Sequence, residues 1–226
     1  MEAKIRRQQL VQSTRQGVVL EAARAVMDQV GLDKASVREI ASKAGYTPGA
    51  LYSFFPSKQA LLTALLEAVL AELGASVAQI RPGKASTDQG LLPRVDAWIG
   101  HFVRHPRDWE LLVHFLHPPG QRRLAPELAS RVHTQLRQSL EPVARAMREL
   151  GLDEARLDAE METLLAMAIG LLLAQDNTRL QPPEQSPQAL LRAHLVRLLE
   201  AWQPEAATSQ AADRPGQDGS QAGLFG

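Results

Sequence analysis

Residues 36–60 read SVREIASKAGYTPGALYSFFPSKQA, and this stretch decides the fold. Ser36 is followed three residues later by a glutamate, which is the pattern of a capping box at the start of a helix. Gly45 stands where that helix must end, because glycine readily adopts the left-handed conformation that follows many helices. Thr47 and Pro48 then supply a cap and a first residue for a second helix. The stretch therefore predicts two short helices joined by a tight turn.

The second of these helices is short, since Pro56 follows it and Ser57 can cap the next helix. Two short helices joined by a turn of this kind form a helix-turn-helix unit, whose second helix enters the major groove of DNA. The local chemistry therefore predicts a DNA-binding protein.

The same residues resemble the DNA-binding domain of TetR-type bacterial transcriptional regulators. The resemblance covers residues 14–65 and includes three motifs in register: A-x-x-A-G at 41–45, G-x-L-Y-x-x-F at 49–55 and P-S-K at 56–58. Beyond Leu65 only an all-helical plan is shared. The resemblance implies a sensor domain and a twofold dimer, and it does not name a ligand.

Several residues of the unit are candidates for DNA contact. By resemblance, Thr47, Tyr52 and Lys58 match positions that hold the phosphate backbone. Gly49 and Ala50 match positions where the helix end comes close to the bases. This agrees with the chemistry, because hydroxyls and helix N-termini suit phosphate oxygens and small residues permit close approach. The full set is Ser36, Arg38, Tyr46, Thr47, Pro48, Gly49, Ala50, Tyr52, Ser53, Phe54 and Lys58.

Some of these assignments have alternatives. Tyr52 and Phe54 are either contacts or core aromatics, and Phe54 departs from the His or Tyr common at its position in the family. Arg38 either reaches a guanine edge or is a solvated surface arginine. With few side chains able to read bases, we expect specificity to depend partly on DNA shape.

Charge is distributed unevenly along a chain that is neutral as a whole. Residues 1–60 carry nine Lys and Arg against five Asp and Glu, whereas residues 61–226 carry 16 against 20. Either this split is chance or the basic part faces phosphate, and the position of the helix-turn-helix favours the second explanation. Lys4, Arg6 and Arg7 belong to a predicted flexible arm at 1–13, which either lies over the DNA backbone or minor groove or is an ordinary solvated terminus.

Composition argues against several other classes of protein. There is no cysteine, so we expect no disulfide and no thiolate site. No apolar segment of a signal peptide follows the basic N-terminus, and the longest uncharged apolar run, 163–175, is too short for a membrane span. The spacings of His101 with His105 and of His114 with His117 would suit a metal, but nothing completes a ligand set. We predict a cytoplasmic protein with no enzymatic activity, no cofactor, no metal and no membrane contact.

The helical periodicity predicts an all-α fold, with a three-helix helix-turn-helix head followed by a larger bundle for ligand binding and dimerisation. Residues 14–30 supply the first helix of the head. Further helices are predicted at 57–80, 91–104, 107–116, 126–150, 157–180 and 187–202. The predicted domains are the arm at 1–13, the DNA-binding domain at 14–60, the sensor and dimerisation domain at 61–203 and a disordered tail at 204–226.

Two helices of the second half are candidates for a dimer interface. Residues 161–174, METLLAMAIGLLLA, are apolar around most of the helix, and 187–202 carry a row of leucines. Either one chain buries them entirely, or two helices from each chain form a four-helix interface, which we prefer. The candidate interface residues are Leu164, Ala168, Leu171, Leu172, Leu191, Leu195, Leu198 and Trp202.

The sensor half is expected to bind an apolar or amphipathic small molecule. Its aromatic and methionine side chains suit an apolar pocket with a few polar groups, although they would equally fill a core. The candidates are Trp98, His101, Phe102, Trp109, His114, Phe115, Met147, Met167 and Gln175. The favoured function is a homodimeric repressor of double-stranded operator DNA that such an effector releases. The alternative is a helical binding protein, or a metal-dependent sensor or enzyme, with a structural helix-turn-helix.

Overall fold

The computed structural model describes residues 1–83, 87–116, 125–176 and 184–202, and these contain helices and no strand. The predicted all-α fold is therefore confirmed. The predicted disordered tail at 204–226 and His117 lie outside the described residues. The helices are α1 (Glu2–Val30), α2 (Val37–Lys43), α3 (Pro48–Phe54), α4 (Lys58–Ala78), α5 (Leu91–Arg104), α6 (Pro106–Leu116), α7 (Pro126–Ser139), α8 (Glu141–Glu149), α9 (Glu154–Asp176) and α10 (Pro187–Trp202).

Helix α1 corrects the predicted flexible arm. It begins at Glu2 rather than at Thr14, so residues 2–13 are helical. The reason lies in their composition, since they contain no glycine or proline and include several good helix formers. Arg6 and Arg7 lie on this extension with their side chains exposed.

The head is built on a small apolar core shared by its three helices. Val19 of α1, Ile40 of α2 and Leu51 of α3 are buried to within 1% of full burial. Helix α2 packs against both α1 and α3. This core fixes α3 to the other two helices and leaves its opposite side open to solvent.

Helix α4 joins the head to the bundle. It packs against α1 in the head and against α5, α6, α7 and α8 in the bundle. By length and hydropathy alone α4 could cross a membrane, but 56% of its apolar window is buried inside the structure. Its contacts on both sides are those of a central core helix.

The predicted helix at 126–150 is divided into α7 and α8 at Leu140. The cause is Pro142, which was not weighed in the prediction: it has no N–H to donate, and its ring collides with the carbonyl four residues earlier. The chain therefore ends one helix at Ser139 and begins the next at Glu141.

The end of α7 lies very close to α4. A Cβ atom placed on Gly74 would lie 3.0 Å from the Cα of Ser139. The buried hydroxyl of Ser139 accepts a hydrogen bond from the Trp98 indole at 3.1 Å and donates one to the Leu136 carbonyl at 2.7 Å. The backbones of α4 and α7 are thus in contact at Gly74. The hydrogen bond from Trp98 to Ser139 joins α5 to the same place.

Candidate nucleic-acid interface and effector site

The two helices of the helix-turn-helix begin with the predicted caps. The Ser36 hydroxyl accepts a hydrogen bond from the Glu39 N–H at 3.2 Å, and the Glu39 carboxylate accepts one from the Ser36 N–H at 3.0 Å. The Ser36 hydroxyl also donates to the Glu39 carboxylate at 2.7 Å, and this bond, followed by the one from the Ser36 N–H, holds the pKa of Glu39 below its ordinary value. The Thr47 hydroxyl accepts from the Ala50 N–H at 3.2 Å. The predicted starts of α2 and α3 are confirmed.

The turn between the helices is a Schellman motif. Gly45 has a φ of 75°, in the left-handed region that favours glycine. Its N–H donates to the Ser42 carbonyl at 3.2 Å, and the Tyr46 N–H donates to the Ala41 carbonyl at 2.8 Å. These two bonds fix the direction in which α3 leaves α2.

The outward side of α3 is small at its N-terminal end. Thr47, Pro48 and Gly49 are exposed, and Ala50 is half-buried. A Cβ on Gly49 would meet no atom within 4 Å. The start of the helix is therefore free of bulk and can approach another surface closely.

One turn further along, aromatic side chains divide between the two sides of α3. Tyr52 is 49% exposed, which leaves its hydroxyl available to a phosphate. Phe54 is half-buried and packs edge-on against Tyr46, with ring centroids 5.5 Å apart. The Ser53 hydroxyl donates to the Ala50 carbonyl at 2.6 Å, so its proton is already used. Tyr52 fits the predicted contact role, and Phe54 supports the helix from behind.

The two basic candidates occupy different environments. Arg38 is exposed and lines an open groove of about 480 Å³ between α1 and α2, together with Lys43 and Gln29. Lys58 is half-buried, and its ammonium donates to the carbonyl of Ala35. The structure thus leaves Arg38 available to DNA and gives Lys58 a structural partner.

This head is similar to a known family of regulators. Residues 19–65, from the buried part of α1 to the first turns of α4, match the model of the bacterial regulatory proteins of the tetR family. The DNA-binding head of the chain is therefore of the TetR type.

Curated relatives match the chain over part of its length. YvdT of Bacillus subtilis, an uncharacterized HTH-type transcriptional regulator, is 46% identical over 52 residues, which are 23% of this chain and 27% of YvdT. BetI of Cronobacter sakazakii, also an HTH-type transcriptional regulator, is 28% identical over 155 residues, which are 66% of this chain and 74% of BetI. The chain thus spans about a quarter of YvdT and three quarters of BetI.

The fold as a whole is similar to a solved structure. RolR in complex with resorcinol superposes with a TM-score of 0.58 at 21% identity, covering 91% of this chain and 96% of RolR. The similarity therefore extends beyond the head to the helical second half.

In that half of the chain, the aromatic candidates for an effector pocket form a packed cluster. The rings of Trp98 and Phe102 lie 5.0 Å apart, and those of Phe102 and Trp109 lie 6.0 Å apart, all edge-on. These three residues, with Phe115 and Met147, are buried. In this structure they pack together in the core, and their assignment as pocket lining stays a prediction.

The remaining candidates are dispersed. The Nε2 of His101 lies 2.9 Å from the Asp108 carboxylate, and its ring lies 4.6 Å from that of His105. Both histidines line a polar cleft of about 380 Å³ between α1, α4 and the α5–α6 junction. Met167 is half-buried and Gln175 is exposed, both on α9. The predicted set therefore does not converge on one cavity.

His114 lies where α6 meets the head. Its Nε2 atom is buried and has no hydrogen-bond partner among the described residues. Burial lowers the pKa of His114, and the nearby charge of Lys58 lowers it further, whereas Asp33 acts in the opposite direction. The described residues hold no group of three or more His, Cys, Asp or Glu arranged to bind a metal.

The predicted dimer residues fall into two groups. Leu171, Leu198 and Trp202 are half-buried and keep surface that a partner could cover. The others are buried inside one chain, so the predicted interface is corrected for them, because a core-facing side chain offers no surface to a second copy. These buried residues are Leu164, Ala168, Leu172, Leu191 and Leu195.

A row of exposed residues that was not predicted from the sequence lies on the other side of α9. They recur at alternating intervals of four and three residues, the spacing that keeps one line along a helix. A substituted Cβ at Gly170 in this row would meet no atom within 4 Å. The signal was present in the sequence, but the large leucines beside it obscured it. The row consists of Ala159, Thr163, Ala166, Gly170 and Leu173.

Proposed function

We propose that this protein is a TetR-type repressor that binds operator DNA as a homodimer and dissociates when a small molecule binds its sensor half. The observation that carries the proposal is the exposed, unobstructed start of α3 at Thr47, Pro48 and Gly49. A helix start with an exposed hydroxyl and no bulk can approach the phosphates and base edges of a major groove closely. The proposed DNA partner places the protein in the cytoplasm.

The exposed row on α9 supports a homodimer. Helix α10, which packs against α9, has its own exposed line at Ala189, Ala193 and Val196. Small residues let helices approach closely, so two such pairs from two chains would form a four-helix interface. A dimer would place two copies of α3 on successive major grooves.

An effector of apolar or amphipathic character is supported by the sensor fold. RolR, which shares this fold, holds resorcinol, a small aromatic molecule. The effector would bind the arrangement that cannot hold DNA more tightly than the arrangement that can, because equal affinities would shift nothing.

Two glycines in open positions provide the experiment. Gly49→Leu places a bulky side chain at the start of α3, whereas Gly17→Leu places one on α1, and neither new Cβ meets an atom within 4 Å. Binding to the DNA upstream of the protein's own coding sequence is measured by fluorescence anisotropy at several salt concentrations. We expect wild type and Gly17→Leu to bind with a steep salt dependence, and Gly49→Leu to lose binding while keeping its thermal stability.

The proposal is wrong if Gly49→Leu binds as wild type does, because α3 would then not enter the groove. Salt-independent or undetectable binding by the wild type would favour the alternative, in which the helical half acts without DNA.

A further inference from the structure

We infer that the surface cavity between α7, α8 and α9 is a binding site for a small organic cation with an apolar body. The site stands on its own geometry, and only its role as the effector site rests on the proposed function.

The floor of this cavity is apolar. It lies beside the break at Leu140 and has a volume of about 200 Å³. A cavity of about 150 Å³ with such a lining can accept a benzene ring. The floor residues are Leu140, Ala144, Leu157, Met161 and Leu165.

One side of the mouth is formed by Arg137 and two carboxylates. The Arg137 guanidinium lies 2.9 Å from the Asp158 carboxylate and 2.7 Å from that of Glu162. Both of its hydrogen-bonding edges therefore point at acids on α9.

The other side repeats this arrangement with Arg148. Its guanidinium lies 3.0 Å from the Glu141 carboxylate and 3.1 Å from the Glu154 carboxylate. Arg137 and Arg148 line the cavity together with three carboxylates, those of Glu141, Asp158 and Glu162, so the lining carries a surplus of one negative charge. Glu154 pairs with Arg148 but is not part of the lining.

The surplus of negative charge favours a cationic ligand over an anionic one. An organic anion would have to displace a carboxylate from Arg137 or Arg148 before it gained an ion pair of its own. An organic cation needs no displacement, because each carboxylate has oxygen lone pairs to spare. The three acids of the lining have side chains 49–68% exposed, so the preference is moderated by solvent.

Three probes of one shape test the charge preference: benzylammonium, benzyl alcohol and benzoate. Binding to the full chain is followed by the NMR signal of the Met161 methyl group, which lies on the cavity floor. We expect benzylammonium to shift this signal and to bind about threefold to tenfold more tightly than benzyl alcohol, with benzoate the weakest.

A charge-neutralising variant makes the test specific. In the double variant Asp158→Asn with Glu162→Gln, Arg137 loses both partners, so benzylammonium should lose its advantage and benzoate should gain affinity. Glu72→Gln, which removes the partner of Arg24 on another surface, is the matched control and should leave all three affinities unchanged.

Equal affinity of the three probes, or an unchanged order in the double variant, would overturn the inference. Shifts confined to other methionine signals would also overturn it, because the probe would then bind elsewhere. The site and the proposed function fail separately: benzylammonium that binds here without releasing DNA removes the effector role alone, and a chain that binds no DNA leaves the NMR result intact.

Discussion

The ammonium of Lys58 donates a hydrogen bond to the carbonyl oxygen of Ala35 at 2.7 Å, and it lies 3.4 Å from the carbonyl of Leu32. The first residue of α4 is thereby tied to the segment between α1 and α2. This contact gives Lys58 a structural role in holding the head together, beside the phosphate contact that the sequence predicts.

Replacing Lys58 separates these two roles. We expect Lys58→Ala to lower the free energy of unfolding by about 1.5–3 kcal/mol, because a charged hydrogen bond is lost. Lys34→Ala removes an exposed cation from the same segment and should change stability little. Urea denaturation measures the difference. Unchanged stability, together with a salt slope of DNA binding lower by about one unit per half-site, would assign Lys58 to phosphate instead.

Tyr52 offers a test at the level of one hydroxyl group. Tyr52→Phe should weaken binding by about tenfold, since a hydrogen bond to a charged phosphate is lost, and the loss should be similar on related DNA sites. Thermal stability should not change, because the side chain is half exposed. Gel-shift titration measures the affinity, and wild-type affinity would remove Tyr52 from the interface.

Gly170 and Leu172 distinguish the dimer surface from the core. In Gly170→Glu the new side chain meets open space within one chain, so the monomer should fold. A dimer would bury an unpaired carboxylate at that position, which is costly, so we expect a folded monomer at micromolar concentration. Leu172 is 3% exposed, and Leu172→Glu should unfold the chain instead. Sedimentation and circular dichroism measure both, and a dimeric Gly170→Glu would place the interface elsewhere.

His114 should make stability depend on pH. Burial lowers its pKa in the folded chain below the ordinary 6.5, so the unfolded chain binds the proton more readily. Its contribution to stability is therefore complete above about pH 6.5 and is lost as the pH falls from there towards the folded pKa. Urea unfolding at pH 7.5 and 5.5 measures the loss. His114→Gln should reduce this loss, and exposed His133→Gln should not; equal losses in all three proteins would contradict the assignment.

Much of the head could be predicted from sequence because its signals are local. Ser36, Gly45 and Thr47 each act within four residues of themselves, and all three behave as expected. The division of the long helix at Leu140 was also readable, since Pro142 alone accounts for it.

The sensor half could not be predicted in the same way because helices there are apolar on more than one side. On α9 the large Leu164 and Leu172 face the core of their own chain, whereas small Ala166 and Gly170 face outward. By hydrophobicity alone, the leucines are the best candidates for a dimer interface. Only the packing of the folded chain shows that their side of α9 is already buried.

Because α4 contacts α7 at Gly74 and Ser139, the length of α4 from this contact to the head sets how far a small tilt of α4 displaces the head. From Gly74 to Lys58 the helix measures about 24 Å at 1.5 Å per residue, so a tilt of about 5° about the glycine moves the head by about 2 Å. In a twofold dimer the two displacements add to about 4 Å, which exceeds the rise of about 3.4 Å between base pairs. A tilt of α4 too small to disturb the core would therefore change the separation of the two heads enough that they no longer fit two successive major grooves.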